Sequence, residues 1–267
     1  MIYGTAWKKD NTKELVKLAF KNGFRRVDTA CQPKHYNEKG VGEALKEVQD
    51  IYEIPREEIF IQTKFTPISG QDLSSIPYNP DAAIEDQVKQ SVEKSLENLQ
   101  VEYIDSVLLH SPISPHVDML KAWRVLEMYV LEGKIGQLGV SNYYEAEFFK
   151  YFYNDVLMKP KVIQNRFYKH TNYDVELRNF IQSKDVEYQS FWSLSANIKH
   201  LKSDYFANIV NKHNKTPEQI FYRFLTQIGI TPLNGTTSLQ HMQEDLSIWD
   251  FTLDSTDIAI IETHLYN

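Results

Sequence analysis

Eight short apolar runs, each separated from the next by a longer stretch, constrain this chain more than any other feature. They fall at residues 2–6, 24–28, 59–64, 104–110, 136–140, 161–164, 186–191 and 229–233. Several of the intervening stretches have helical periodicity. Residues 81–99 place Ala83, Ile84, Val88, Val92, Leu96 and Leu99 at three- and four-residue steps with charges between them, and residues 13–21, 115–131 and 216–226 read similarly. Gly23 stops the first helix, and Pro217 beside Thr216 starts the last of these. Strands alternating with helices imply parallel pairing through crossovers. Eight such units in 267 residues predict an α/β fold, a closed (β/α)8 TIM barrel, as one domain over 1–267. An open doubly wound sheet would bring an early glycine-rich phosphate loop, but G-x-G-x-x-G is absent and the chain has only 10 glycines. Residues 66–80, rich in serine and proline, read as a loop.

The formal charge of −7 argues against a nucleic-acid partner, which would need a basic face. A single cysteine cannot form an internal disulfide, so nothing points to an oxidising compartment. No run approaches the length of a membrane span, and the first ten residues lack a basic segment followed by an apolar one. A cytoplasmic protein is expected, with a small-molecule substrate and no obligate protein partner.

In a parallel barrel the chemistry collects at the C-terminal ends of the strands. Here four run ends carry polar groups that an apolar strand does not need: Asp28, Lys64, His110 and Gln164. Each alone has an ordinary explanation as a helix cap, a solvated amine or a hydrogen-bonded rim residue. Together they converge on one mouth, which favours a functional reading. Metal chemistry is not expected, because H-x-H and H-E-x-x-H are absent and a lysine among the converging groups opposes a divalent cation. Acyl transfer lacks G-x-S-x-G, and Cys31 has no evident base.

The phrases around these residues resemble the aldo-keto reductases. They are Gly4-Thr-Ala-Trp7, Gly23-Phe-Arg-Arg-Val-Asp-Thr-Ala30, Asn37-Glu38, Thr63-Lys64, Asp105-Ser-Val-Leu-Leu-His110, Gly139-Val-Ser-Asn142, Gln164 and Thr216-Pro217, in family order along nearly the whole chain. The resemblance implies reduction of small aldehydes or ketones by hydride transfer from NADP(H) or NAD(H), with Asp28, Tyr36, Lys64 and His110 as the catalytic set. Lys64 would lower the pKa of the phenol, Asp28 would hold Lys64 charged, and His110 would hydrogen-bond the carbonyl. It also implies cofactor contacts from Gly4, Thr5 and Asp28, and from Ser141, Asn142 and Gln164 around the nicotinamide amide. An aromatic ring, Phe191 or Trp192, would stack on the nicotinamide, followed by Leu194. Gly235, Thr236, Thr237, His241, Glu244 and Asp245 would line the adenosine end.

Three departures from the family pattern matter. Asp28 and Tyr36 lie eight positions apart where five is usual, so His35 competes with Tyr36 as proton donor. A short loop after His110 and an early chain end point to an open pocket walled by Trp7, Phe65, Pro112 and Tyr143. Finally, Gly235 and His241 occupy the positions that usually carry Lys and Arg for the NADP 2′-phosphate, and residues 224–267 contain no Lys or Arg at all. A weak preference for NADP is therefore expected. The irregular tyrosine loop leaves one alternative, a catalytically weak, cofactor-binding regulatory member of the family.

Overall fold

The computed structural model describes residues 1–266. Its eight strands are β1 (Ile2–Gly4), β2 (Arg26–Asp28), β3 (Phe60–Phe65), β4 (Ile104–Leu109), β5 (Ile135–Ser141), β6 (Val162–Arg166), β7 (Glu187–Phe191) and β8 (Ile230–Asn234). Each pairs in parallel with the next, and β1 pairs with β8 to close a (β/α)8 barrel. Every strand lies within two residues of an apolar run in the sequence. The runs are visible because parallel barrel strands are covered on their outer face by helices, so no solvent face interrupts them.

The amphipathic stretches form helices Thr12–Lys21, Ile84–Leu99, His116–Leu131 and Pro217–Gln227. Thr216 caps the last in a reciprocal capping box with Gln219. A further helix, Glu38–Tyr52, follows β2 with Asn37 as its cap and buries Val41, Ala44, Leu45 and Val48 against the barrel. At Gly42 a Cβ would overlap the Asn98 carbonyl oxygen and stand 2.8 Å from Leu99 Cα, so this helix and Ile84–Leu99 approach as closely as their backbones allow. Buried aliphatic and aromatic side chains fill the layer between strands and helices.

The inside of the barrel is different, and the apolar runs conceal it. Alternation along the strands turns Arg26 and Asp28, Gln62 and Lys64, and Glu187 and Gln189 inward. Near the N-terminal ends of the strands, Arg26 grips Glu187 through two 2.8 Å hydrogen bonds, and Thr231 donates to the same carboxylate at 2.7 Å. Above them Gln189 bonds Glu187 and Gln62. Gln62 and Gln164 in turn donate to Asp28 Oδ1 at 2.8 and 2.9 Å. A buried, hydrogen-bonded polar column therefore runs up the barrel axis, with Arg26 Nε left without a partner among the described residues, and it ends beneath the mouth formed by the C-terminal strand ends.

Candidate active site

Asp28, Lys64 and His110 stand at the ends of β2, β3 and β4, and the fold brings them together. Lys64 Nζ donates to Asp28 Oδ2 at 2.6 Å and to the Thr29 carbonyl at 2.8 Å, with 1% of the lysine side chain and 3% of the aspartate side chain exposed. Burial pulls the Lys64 ammonium below its ordinary range, and Asp28 works against that pull. The other oxygen of Asp28 is fixed by the two glutamines of the barrel column, so the carboxylate cannot swing away from the lysine.

Tyr36 lies over this pair. Lys64 Nζ is 5.3 Å from the centroid of its ring, and His110 meets the same ring edge-on at 5.8 Å. The lysine faces the ring rather than hydrogen-bonding the phenol, which differs from the contact expected from the sequence. Accordingly, burial and the charge of Asp28 push the Tyr36 phenol up instead of down. His35 takes another place: its ring packs on Trp7 at 3.8 Å, and its buried Nδ1 has no partner among the described residues. His110 Nδ1 pairs with Thr66 Oγ1 at 2.6 Å. Burial and the Lys64 charge hold His110 well below its ordinary range, so the ring is neutral at pH 7. With the Thr66 hydroxyl as donor, the ring proton sits on Nε2, the nitrogen left for a ligand.

On the opposite wall, Ser141 Oγ donates to the Gln164 carbonyl at 2.8 Å and Asn142 Nδ2 to the His110 carbonyl at 2.9 Å. Gln164 commits its amide nitrogen to Asp28 and Gln189, and no described residue donates to its side-chain oxygen. These groups line a cleft of about 1090 Å³ together with Gly4, Trp7, Asp28, His35 and Tyr36. The cleft continues past Phe191, Trp192 and Leu194 to Gly235, Thr236, His241, Glu244 and Asp245. Trp7, Asn142 and Trp192 all take the left-handed backbone conformation, with φ of 63°, 57° and 58°. Seven other non-glycine residues, among them Glu53, Gln100 and Asn214, take the same conformation outside the cleft, so backbone strain alone does not mark it.

Other expected residues fall outside the cleft. Phe65 follows Lys64 in β3, so alternation sends it to the opposite face, where it packs on Tyr78 at 5.6 Å. Tyr143 is buried among Phe148, Phe149 and Phe152. Pro112 and Thr237 are exposed and lie outside the lining, and Thr5 is buried with its hydroxyl on the Asp28 carbonyl at 2.9 Å. Cys31 is buried, and burial and Glu38 push its thiol well up, which disables it as a nucleophile. Among the described residues no cluster of three His, Cys, Asp or Glu is arranged to hold a metal ion.

Sequence reasoning missed both lining cations, Lys8 and Arg166, and several polar neighbours, among them Glu218, Tyr222, Asn234 and Gln240. Lys8 reaches across from the loop after β1 and donates to the Gly235 carbonyl. A cation thus stands beside the position where the sequence lacks one, although it is tied to a backbone oxygen. Asp245, hydrogen-bonded by Asn234, is pushed up to about 7 by burial and by the nearby Glu218 and Glu244.

The sequence profile of the Aldo/keto reductase family matches residues 1–265. Glyoxal reductase of Bacillus subtilis is 32% identical over 250 residues, covering 93% of this chain and 82% of that protein. The NAD/NADP-dependent indole-3-acetaldehyde reductase of Schizosaccharomyces pombe is 26% identical, covering 93% and 82%. Among solved structures, an aldo-keto reductase from a Medee basin deep-sea metagenome superposes with a TM-score of 0.84 at 28% identity, covering 99% of this chain and 91% of that one. Among the described residues, no helix is long and apolar enough to cross a membrane.

Proposed function

The chain belongs to the aldo/keto reductase family and is an NAD(P)H-dependent oxidoreductase; on that premise we propose that one domain over residues 1–267 reduces small aldehydes or ketones to alcohols, with Tyr36 as the proton donor. The observation that carries this reading is the buried Lys64–Asp28 pair at 2.6 Å under the ring of Tyr36, with His110 against the ring edge. The glyoxal and indole-3-acetaldehyde reductases among its relatives support small aldehydes as substrates.

The cleft suits a nicotinamide dinucleotide. The free side-chain oxygen of Gln164 can accept from a carboxamide, the half-buried ring of Phe191 offers a stacking face, and Gly235 leaves an open floor where a Cβ would meet nothing closer than 3.8 Å. When bound, the cofactor supplies the hydride to the carbonyl carbon. The protein manages the charge that then develops on oxygen. His110, neutral and held by Thr66, donates a hydrogen bond from Nε2 and orients the carbonyl. Tyr36 gives its phenolic proton to the oxygen, and the Lys64 ammonium beneath the ring stabilises the phenolate left behind. Asp28 keeps that ammonium charged in a site that would otherwise neutralise it. The residues around Gly235 and His241 offer no side-chain cation of their own, so NADH serves as well as NADPH within about tenfold in kcat/KM.

Oxidation of NADH and NADPH followed at 340 nm with 4-nitrobenzaldehyde or methylglyoxal tests the reading. Tyr36→Phe lowers kcat by about 10²- to 10⁴-fold, the usual contribution of a positioned acid, and His35→Ala lowers it by less than about tenfold. The reverse order moves the proton donor to His35. If neither substitution matters, the mechanism is wrong. Cofactor binding without turnover of any carbonyl would favour the regulatory reading instead.

A further inference from the structure

Arg166 is the unspoken-for cation of the cleft. It lies on β6 two residues after Gln164, so strand alternation aims both at the barrel mouth, and it lines the cleft with His110, Asn142, Phe191 and Trp192. Its guanidinium carbon rests 5.9 Å from the ring centroid of Phe191 and 5.5 Å from that of Trp192. Of the seven arginines, Arg25, Arg26, Arg56, Arg178 and Arg223 donate to protein acceptors, whereas the exposed Arg124 and Arg166 donate to none among the described residues, and of these two Arg166 alone lines the cleft. Its backbone is nevertheless well placed: Arg166 N donates to the Tyr144 hydroxyl, which donates to Asn142, which donates to the His110 carbonyl. The guanidinium therefore projects from the same hydrogen-bonded wall that fixes the reacting end.

The other two cations at the site are already engaged. Lys64 belongs to Asp28, and Lys8 lies on the Gly235 carbonyl, on the side where Glu218, Glu244 and Asp245 also stand. A planar fork of five donors on two aromatic faces, lining the same cleft as His110 and Tyr36, matches the planar bidentate geometry of a carboxylate. We infer that Arg166 docks a carboxylate on the substrate, so that the preferred substrates are aldehydes or ketones that carry an acid group. This inference rests on the proposed carbonyl reduction.

The test pairs 4-carboxybenzaldehyde with methyl 4-formylbenzoate, which differ in charge but share the reacting aldehyde. The native enzyme should favour the acid by about tenfold or more in kcat/KM, mainly through KM, with the preference shrinking as salt rises. In Arg166→Gln the acid-to-ester ratio should fall by about 10- to 100-fold, and Arg166→Lys should restore part of it. Equal losses for acid and ester, or no acid preference in the native enzyme, overturn the inference. So does a weaker Kd for both NADH and NADPH in Arg166→Gln, read by protein fluorescence, because it would assign the guanidinium to the cofactor diphosphate. If neither aldehyde turns over, binding of the alcohol 4-(hydroxymethyl)benzoate against its methyl ester to the NADP complex decides. Arg166-dependent preference for the acid then upholds carboxylate docking at Arg166 while the carbonyl-reduction reading, and with it the substrate class, fails; no preference overturns both.

Discussion

Replacing Asp28 with Asn tests the electrostatic design of the site at its centre. The substitution keeps the shape, and Asn Oδ1 can still accept from Gln62 and Gln164 as Asp28 Oδ1 does at 2.8 and 2.9 Å. That orientation turns the amide nitrogen toward Lys64 Nζ, where the carboxylate oxygen now lies at 2.6 Å. Two donors then face each other in a site from which water is excluded. Removing one member of a buried ion pair costs about 3–5 kcal/mol. The pH dependence identifies the cause. Burial already lowers the Lys64 pKa in the folded protein, and Asp28 opposes that effect, so removing Asp28 lowers it further. Between this folded value and the unfolded value of about 10.4, the unfolded chain holds a proton that the folded chain has released. Stability in that window rises with pH, by at most about 1.4 kcal/mol per unit for one proton. Urea unfolding followed by tryptophan fluorescence at pH 7, 8 and 9 should therefore show Asp28→Asn weakest at pH 7. The gap to the native protein should narrow by about 1–2 kcal/mol toward pH 9. A loss below about 1 kcal/mol at pH 7, or a gap that does not change with pH, would refute the claim that Asp28 holds Lys64 charged.

Three further outcomes follow from the same geometry. Gly42→Ala drives a methyl group into the Asn98 carbonyl and Leu99 backbone and should cost about 1–3 kcal/mol or more, read as a fall in Tm without loss of helix in circular dichroism. Gly235→Lys meets no backbone closer than 4.0 Å and places a second ammonium at the adenosine end, so the NADPH-to-NADH ratio of Kd should shift toward NADPH by about tenfold. Asp245, pushed up to about 7, retains its proton in the folded protein when an unfolded aspartate has lost it, so native stability falls as pH rises from about 4 to 7. Asp245→Asn removes that loss; the variant should gain about 1–3 kcal/mol on the native protein at pH 8 and almost nothing at pH 4, measured by urea unfolding.

The barrel was legible because its strands are covered outside by helices and so appear as uninterrupted apolar runs. Strand ends were legible for the matching reason: Asp28, Lys64, His110 and Gln164 are polar where apolar residues would suffice. The helix Glu38–Tyr52 carried the same kind of signal in Val41, Ala44, Leu45 and Val48, which are buried at helical spacing. Side-chain direction within a strand was harder to read. Phe65 was expected as a pocket wall, yet it directly follows the inward-facing Lys64, and adjacency in a strand means the opposite face. The same alternation, applied backward from Asp28 and Lys64, would have exposed the inner polar column through Arg26 and Gln62. The long loop before Tyr36 was ambiguous because ungapped spacing assumes a fixed loop path. In the structure His35 packs on Trp7 while Tyr36 meets Lys64 and His110.

Charge is the property for which reading along the chain serves least well. Residues 224–267 lack any Lys or Arg, and from that gap the sequence suggests an adenosine end without cations. The barrel closes β1 against β8, however, so the loop after β1 borders the loop after β8 although more than two hundred residues separate them. Lys8 crosses that seam to the Gly235 carbonyl, and Arg166 enters from β6 on another wall. Neither lies in the segment where a missing cation was counted. The lysine remains tied to a backbone oxygen and partly desolvated, which pulls its pKa down. A ligand phosphate would have to compete with that carbonyl for it, so Lys8 compensates only partly for the glycine at 235. On the proposed reading, the cofactor preference depends on how firmly Lys8 is held, a quantity that exists only in the closed barrel. Replacing Gly235 adds a free cation and replacing Lys8 removes the tethered one, so a larger change in the NADPH-to-NADH Kd ratio from Gly235→Lys than from Lys8→Met is the expected order.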